Sequence, residues 1–234
     1  MSEGRPSDAR VRGVVFDLDG TLVDSYAAIA ESLNAARAAF GMGPLAETAV
    51  RGLVGHGLES LLESQVGRER VPAAVRTFRE RYARIGVART TALPGVAPGL
   101  RALAEHGYRL AVATNKPAAF AGPILAALDL SRWFSCIVGP DLVGTTKPDP
   151  RMLRHCLRVL DVPPEHALYV GDMALDVETA DRAGVAVVLV CGGSSSPEEL
   201  RSTGRPTVPS FAALVRRLVA GDRVTSARDA PSPS

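Results

Sequence analysis

The chain has 234 residues, the length at which a single core begins to share its sequence with a smaller insertion. Its 46% hydrophobic and 22% charged residues, with a mean hydropathy of +0.10, exclude a chain disordered throughout and a membrane bundle. A net charge of +2 does not by itself make a nucleic-acid surface, and no run approaches the roughly 20 apolar residues of a bilayer span. The first ten residues lack the apolar centre of a secretory signal, so the expected address is the cytoplasm, with neither nucleic acid nor membrane as partner.

Residues 1–10 read as a disordered tail. Residues 11–16 (VRGVVF) form an apolar run rich in β-branched side chains, long enough for a buried strand and too short for a helix. The next such run begins only at residue 109, far beyond the reach of one crossover helix. The stretch between contains no strand-like run. Residues 25–40, 46–52, 58–65 and 72–85 read as helices, broken at Gly41, Gly43-Pro44, Gly67 and Gly86. Residues 25–92 are therefore expected to be a helical cap inserted between core segments 11–24 and 93–219.

Beyond the insertion, residues 96–105 read as a helix stopped at His106-Gly107, and 109–113 (RLAVA) as a strand. Residues 135–138 read as another strand, 148–160 as a helix opened by Pro-Asp-Pro, and 167–170 (ALYV) as a strand. A helix over 174–183 ends at Gly184, a last strand occupies 185–190, and residues 220–234 read as a disordered tail. Continuous apolar strands separated by helices predict a doubly wound α/β core, a Rossmann-like parallel sheet covered on both faces.

Four segments carry polar side chains where strands end or helices begin. After the first strand comes Asp17-Leu18-Asp19-Gly20-Thr21, two carboxylates with a glycine that permits close backbone approach by a phosphate. Asp and Gly also favour turns. A calcium loop starting at Asp17 fails on spacing, because its sixth and twelfth places hold Leu22 and Ala28. Thr114-Asn115-Lys116 follows the strand 109–113; its hydroxyl and amide suit an anion and equally suit a helix cap.

The third segment is Thr145-Thr146-Lys147-Pro148. Only Lys116 and Lys147 are lysines among the 27 basic residues, so a lysine held before a proline reads as a placed point charge. The fourth, Gly171-Asp172-Met173-Ala174-Leu175-Asp176, sets one carboxylate at a strand end and another a helical turn on. All four fall on one edge of a parallel sheet. With His and Cys absent from the cluster, oxygen ligands point to Mg²⁺ and not zinc. The three cysteines, Cys136, Cys156 and Cys191, read as reduced thiols.

The ordered set DLDGT, ATN, TKP and GDMALD resembles the four motifs of the haloacid-dehalogenase superfamily, over roughly residues 11–219. Within it, DLDGTLVDS followed by a helical cap is most similar to the phosphoglycolate phosphatase group. The resemblance implies a nucleophile at Asp17, a general acid and base at Asp19, and Mg²⁺ held by Asp17, the backbone carbonyl of Asp19 and Asp172, with Asp176 in support. It further implies that Thr114, Lys147 and backbone amides near Leu18 and Asn115 hold the phosphate of a small phosphorylated metabolite. Lys116 lies outside that set and reads as a surface residue at a helix start.

Departures within the superfamily narrow the chemistry. Dehalogenases lack the second carboxylate, which is present here as Asp19, and phosphonate hydrolases need a cap lysine, which residues 25–92 do not contain. The β-phosphoglucomutase-like group typically carries an arginine in the stretch matching Gly55-His56-Gly57-Leu58-Glu59-Ser60; here the nearest is Arg51. The same stretch offers His56 as a cap contact to the substrate, or as an exposed side chain at a helix start. The expected function is a Mg²⁺-dependent phosphomonoester hydrolase, with 2-phosphoglycolate as first substrate. A phosphosugar mutase, a pyrophosphatase and a non-catalytic binding module are the alternatives.

Overall fold

A computed structural model of the chain describes residues 11–222. The expected tails, 1–10 and most of 220–234, lie outside the described residues. Ala220 is a correction to the second tail: it is the last residue of a helix that Gly221 closes in the left-handed region at φ 75.

Strand β1 (Gly13–Phe16) opens the core, and β2 (Val23–Asp24) leads out of it. The insertion follows as α1 (Tyr26–Ala38), α2 (Glu47–Arg51), α3 (Leu58–Val66) and α4 (Val71–Ile85), and β3 (Thr91–Ala92) leads back. Helix α5 (Val96–Glu105), β4 (Arg109–Ala113), α6 (Ala118–Ala127), β5 (Ile137–Val138) and α7 (Pro140–Val143) come next. Then come α8 (Arg151–Leu160), β6 (Ala167–Gly171), α9 (Ala174–Ala183), β7 (Ala186–Val190), α10 (Pro197–Ser202), β8 (Thr207–Val208) and α11 (Phe211–Ala220).

Six strands form one parallel sheet in the order β5-β4-β1-β6-β7-β8. Side chains alternate across it as the pleat requires. Val14, Phe16, Val112 and Val170 join one hydrophobic cluster, which continues into the insertion through Tyr26, Leu33, Leu62 and Phe78. Val15, Ala111, Tyr169 and Leu189 join a second cluster, under α8 and α9. This is the doubly wound α/β architecture. Among the described residues no helix is long and apolar enough to cross a membrane.

Three expectations need correction. The insertion is not free of strands: Val23 pairs with Ala92 and Asp24 with Thr91, antiparallel, and Leu93 N donates to Leu22 O at 3.0 Å. The outgoing and returning chains satisfy each other's backbone at the neck, in runs too short to leave a period in the sequence. The eighth helix begins at Arg151 and not at residue 148, because proline after Asp149 disfavours helical backbone there, and the Asp149 carboxylate accepts from Arg151 N at 2.9 Å. Finally, α6, α7, α10, α11 and β8 had no expected counterpart.

Candidate active site

The order β4-β1-β6 explains why distant motifs meet. Phe16 is in register with Val112 on one side and Val170 on the other, so Asp17, Thr114 and Asp172 emerge within two residues of adjacent strand ends. Neighbouring strands lie about 4.8 Å apart, which forces the two carboxylates close together. Carboxylate oxygens of Asp17, Asp172 and Asp176 lie within 4.8 Å of one another, all three buried.

Lys147 is the cation in this group. Its ammonium, 4% exposed, donates to Asp176 Oδ1 at 2.7 Å, pairs with Asp17 Oδ2 at 2.9 Å and reaches the Tyr169 hydroxyl at 3.3 Å. Burial alone would depress the ammonium, but the Asp17 and Asp176 carboxylates outweigh it and hold Lys147 charged, well above the usual lysine range. The Tyr169 hydroxyl lies 3.0 Å from Ala113 O, so β4 and β6 both anchor the lysine.

Asp176 is occupied on both oxygens. Besides Lys147, it accepts from the backbone N–H groups of Asp172 at 3.0 Å and Met173 at 3.1 Å, which locks the first turn of α9 under the site. A Cβ at Gly171 would run into this carboxylate, so the strand can end here only in glycine. Asp172 accepts from Thr21 Oγ1 at 3.0 Å and Ser194 N at 2.6 Å. A side chain at Gly20, where φ is 84, would collide with the same carboxylate.

Asp17 differs from both neighbours. Its Oδ2 faces Lys147, while its Oδ1 is buried with no hydrogen-bond partner among the described residues. Burial raises its carboxyl to about 6 from an ordinary 3.8, Lys147 opposing and Asp176 adding to the rise. Burial, then the charges of Asp176 and Asp17, push Asp172 up to about 8. One ammonium among three buried carboxylates leaves an excess of negative charge, and a bare carboxylate oxygen points into it. Hard oxygen donors of this kind, on Asp17, Asp172 and Asp176, could hold a small divalent cation.

The second carboxylate of the first motif stands apart. Asp19 accepts from Ser25 Oγ at 2.5 Å and pairs with Lys116 Nζ at 2.8 Å. Lys116 is thus a correction: it is not on the surface but 9% exposed, at the wall of a cavity beneath the insertion. Its charge is held above the ordinary range because the Asp19 carboxylate outweighs burial. Tyr82 and Ser194 are other polar neighbours that sequence reasoning missed; the scarcity of lysine was the one signal that singled out Lys116.

Thr114 is 2% exposed, and its hydroxyl oxygen accepts from Lys116 N at 3.2 Å, leaving its proton to donate. The Asn115 side chain is a tie between regions: Nδ2 donates to Gly55 O in the insertion at 2.7 Å, and Oδ1 accepts from Lys147 N at 2.7 Å. Gly55 and Gly57 line the cavity, whereas His56 is exposed and does not. The cavity has a volume of about 70 Å³. Asp17, Asp19 and Lys116 are its charged lining groups, and Ile29, Val54, Leu58, Leu61, Phe78 and Phe120 make most of the rest apolar. Arg51 lies elsewhere, paired with Asp24 at 3.3 Å and stacked over Tyr26 with 3.9 Å to the ring centre.

Residues 14–190 match the family model of haloacid dehalogenase-like hydrolases. The chain is 40% identical over 226 residues to a plasmid-encoded phosphoglycolate phosphatase of Cupriavidus necator, covering 94% of this chain and 95% of that protein. Among solved structures it is similar to a predicted phosphatase from Clostridium acetobutylicum, with a TM-score of 0.83 and 27% identity over 90% of this chain and 99% of the other. A predicted phosphoglycolate phosphatase from Haemophilus somnus gives 0.80 and 28% over 88% and 97%. The sheet order, the carboxylates at its edge and these matches agree: the chain belongs to the haloacid dehalogenase-like hydrolases.

Proposed function

We propose that this chain is a Mg²⁺-dependent phosphomonoester hydrolase of the cytoplasm that works through an aspartyl phosphate on Asp17, with 2-phosphoglycolate as substrate. The observation that carries the reading is the bare, buried Oδ1 of Asp17 among Asp172, Asp176 and Lys147. A carboxylate oxygen kept free of donors, in a cluster that otherwise satisfies its polar atoms, is available as a nucleophile or ligand. The name of the Cupriavidus relative supports the choice of substrate.

Asp17, Asp172 and the backbone carbonyl of Asp19 would hold Mg²⁺, supported by Asp176. The bound ion supplies the positive charge that lets an anionic phosphate approach these carboxylates. An Asp17 carboxylate oxygen bonds to phosphorus as the ester bond to the leaving oxygen breaks, and Asp19 gives that oxygen a proton. Asp19 then takes a proton from water, whose oxygen bonds to phosphorus as the Asp17–phosphorus bond breaks. Lys147, the Thr114 hydroxyl and the amides of Leu18 and Asn115 offset the charge on the transferring oxygens.

The helical insertion, residues 25–92, acts as a cap that excludes water during the first transfer and opens to admit it for the second. Arg51 is engaged with Asp24 and Tyr26, and no arginine lines the cavity, which favours a hydrolase of a compact monophosphate over a mutase that must grip a second phosphate. The test is phosphate release with Mg²⁺ from 2-phosphoglycolate, pyrophosphate, nucleoside monophosphates and sugar phosphates, with Asp17→Asn as blank. The expected result is a kcat/KM for 2-phosphoglycolate at least about a hundredfold above the others. No activity above the blank on any of them would overturn the reading.

A further inference from the structure

Two polar groups on facing walls of the cavity, Tyr82 and Lys116, have no assigned contact with the transferring phosphoryl group, although Lys116 also pairs with Asp19. Tyr82, on α4, is 3% exposed; its hydroxyl oxygen faces the Lys116 ammonium, and its own proton finds no acceptor among the described residues. Its ring cannot easily turn away. It stacks on Phe78 with ring centres 5.6 Å apart and meets Phe120 edge-on at 5.2 Å. Leaving a buried hydroxyl unsatisfied is costly, so a site that keeps one is built for a visitor that accepts from it.

Lys116, from the loop after β4, stands over that ring with Nζ 4.8 Å from its centre. An ammonium has three N–H donors; Asp19 takes one at 2.8 Å and the Tyr82 hydroxyl oxygen faces another, which leaves the third for a ligand. Of the three charged side chains lining the cavity, Asp17 and Asp19 repel an anion and Lys116 alone attracts one. Lys147 is spent on the other side, against Asp17 and Asp176. The two walls therefore present a positive charge and a neutral donor on the side where a leaving group must lie. The opening turn of α3, at Gly57 and Leu58, adds backbone amides to the same wall.

Resting on the phosphatase reading, we infer that Lys116 and Tyr82 are the residues that set specificity, by recognising the carboxylate of the leaving group. A carboxylate has two oxygens, one for the ammonium and one for the phenol. A second phosphate has three and would want the forked donors of an arginine, absent from this cavity. The apolar remainder of the wall, Ile29, Leu58, Leu61, Phe78 and Phe120 among it, suits a methylene.

The experiment compares 2-phosphoglycolate with ethyl phosphate, the same skeleton with a methyl in place of the carboxylate. The readout is the ratio of their kcat/KM values, which cancels any general damage to Asp19 or to the fold. The wild-type ratio is expected to be at least about a hundredfold; Tyr82→Phe lowers it about tenfold, and Lys116→Met brings it close to one. A second readout is thermal, in the Asp17→Asn background so that the ligand is not consumed: with Mg²⁺ present, 2-phosphoglycolate raises Tm more than ethyl phosphate, and adding Lys116→Met removes the difference. A wild-type ratio near one with normal monoester turnover overturns the inference and leaves the phosphatase reading standing. Wild-type selectivity retained in both variants overturns it equally. Absence of turnover on every monoester overturns both.

Discussion

The edge of the sheet and the underside of the helical insertion face each other across one small cavity, and they are organised by different physics. On the sheet side, Asp176 is held by Lys147 and two backbone amides, and Asp172 by Thr21 and Ser194. Positions are over-determined there, and Asp17 Oδ1, bare among the described residues, stands out against that background. The insertion side is a sheet of apolar side chains interrupted by one hydroxyl, on Tyr82, whose proton finds no acceptor among the described residues. The first arrangement can hold a reacting phosphate and cation to a fixed geometry. The second has little that must be fixed, and its few polar groups can change the substrate without disturbing the reaction.

The contrast breaks most sharply at Asp17. Asp17→Asn is expected to lower kcat by more than about a thousandfold while the protein remains folded by circular dichroism, since an amide replaces a carboxylate already poorly accommodated. Next is Lys147→Ala, which leaves buried Asp17 and Asp176 without their cation. Chemical denaturation should show a loss of about 3 kcal/mol, accompanied by loss of turnover. Asn115→Ala attacks the tie between the two sides, freeing Gly55 O and Lys147 N together; kcat/KM should fall about tenfold with a stability loss near 1–2 kcal/mol.

A gentler effect sharpens the same contrast through pH. Asp17 at about 6 and Asp172 at about 8 both lie above their ordinary 3.8, so the folded protein binds more protons than the unfolded chain between those limits. In EDTA, their contribution to stability is greatest below pH 4 and is lost as pH rises toward 8. A divalent cation favours the ionised forms. The rise in Tm on adding Mg²⁺ should therefore be larger at pH 8 than at pH 5 by a few degrees, and in Asp172→Asn that pH dependence should shrink. An equal rise at both values would contradict the cation's place beside these carboxylates.

Much of the sheet side was legible because three of the four motifs follow an apolar run that only a buried strand explains. Asp17 comes after Phe16, Thr114 after Ala113, and Asp172 after a strand ending in Gly171. Lys147 was legible for a compositional reason, as one of two lysines in an arginine-rich chain. What spacing could not supply was adjacency: the order β4-β1-β6 is a tertiary fact. Lys116 was misread because Asn-Lys-Pro before a helix has the composition of an exposed cap, and only the insertion folding over it makes it buried. Tyr82 was silent for a related reason. On α4 it occupies an ordinary core position, between Phe78 and Phe120, and the want of an acceptor for its hydroxyl proton exists only in three dimensions.

The central claim, that Asp17 carries the phosphoryl group between two half-reactions, is open to direct observation. The enzyme would be mixed with 2-phosphoglycolate and Mg²⁺, quenched in acid during turnover, digested, and its peptides weighed by mass spectrometry. The account predicts a phosphoryl group on the peptide containing Asp17, absent when EDTA replaces Mg²⁺ and absent in Asp17→Asn. Turnover with no phosphorylated peptide, or with the phosphoryl group on any other residue, would contradict it.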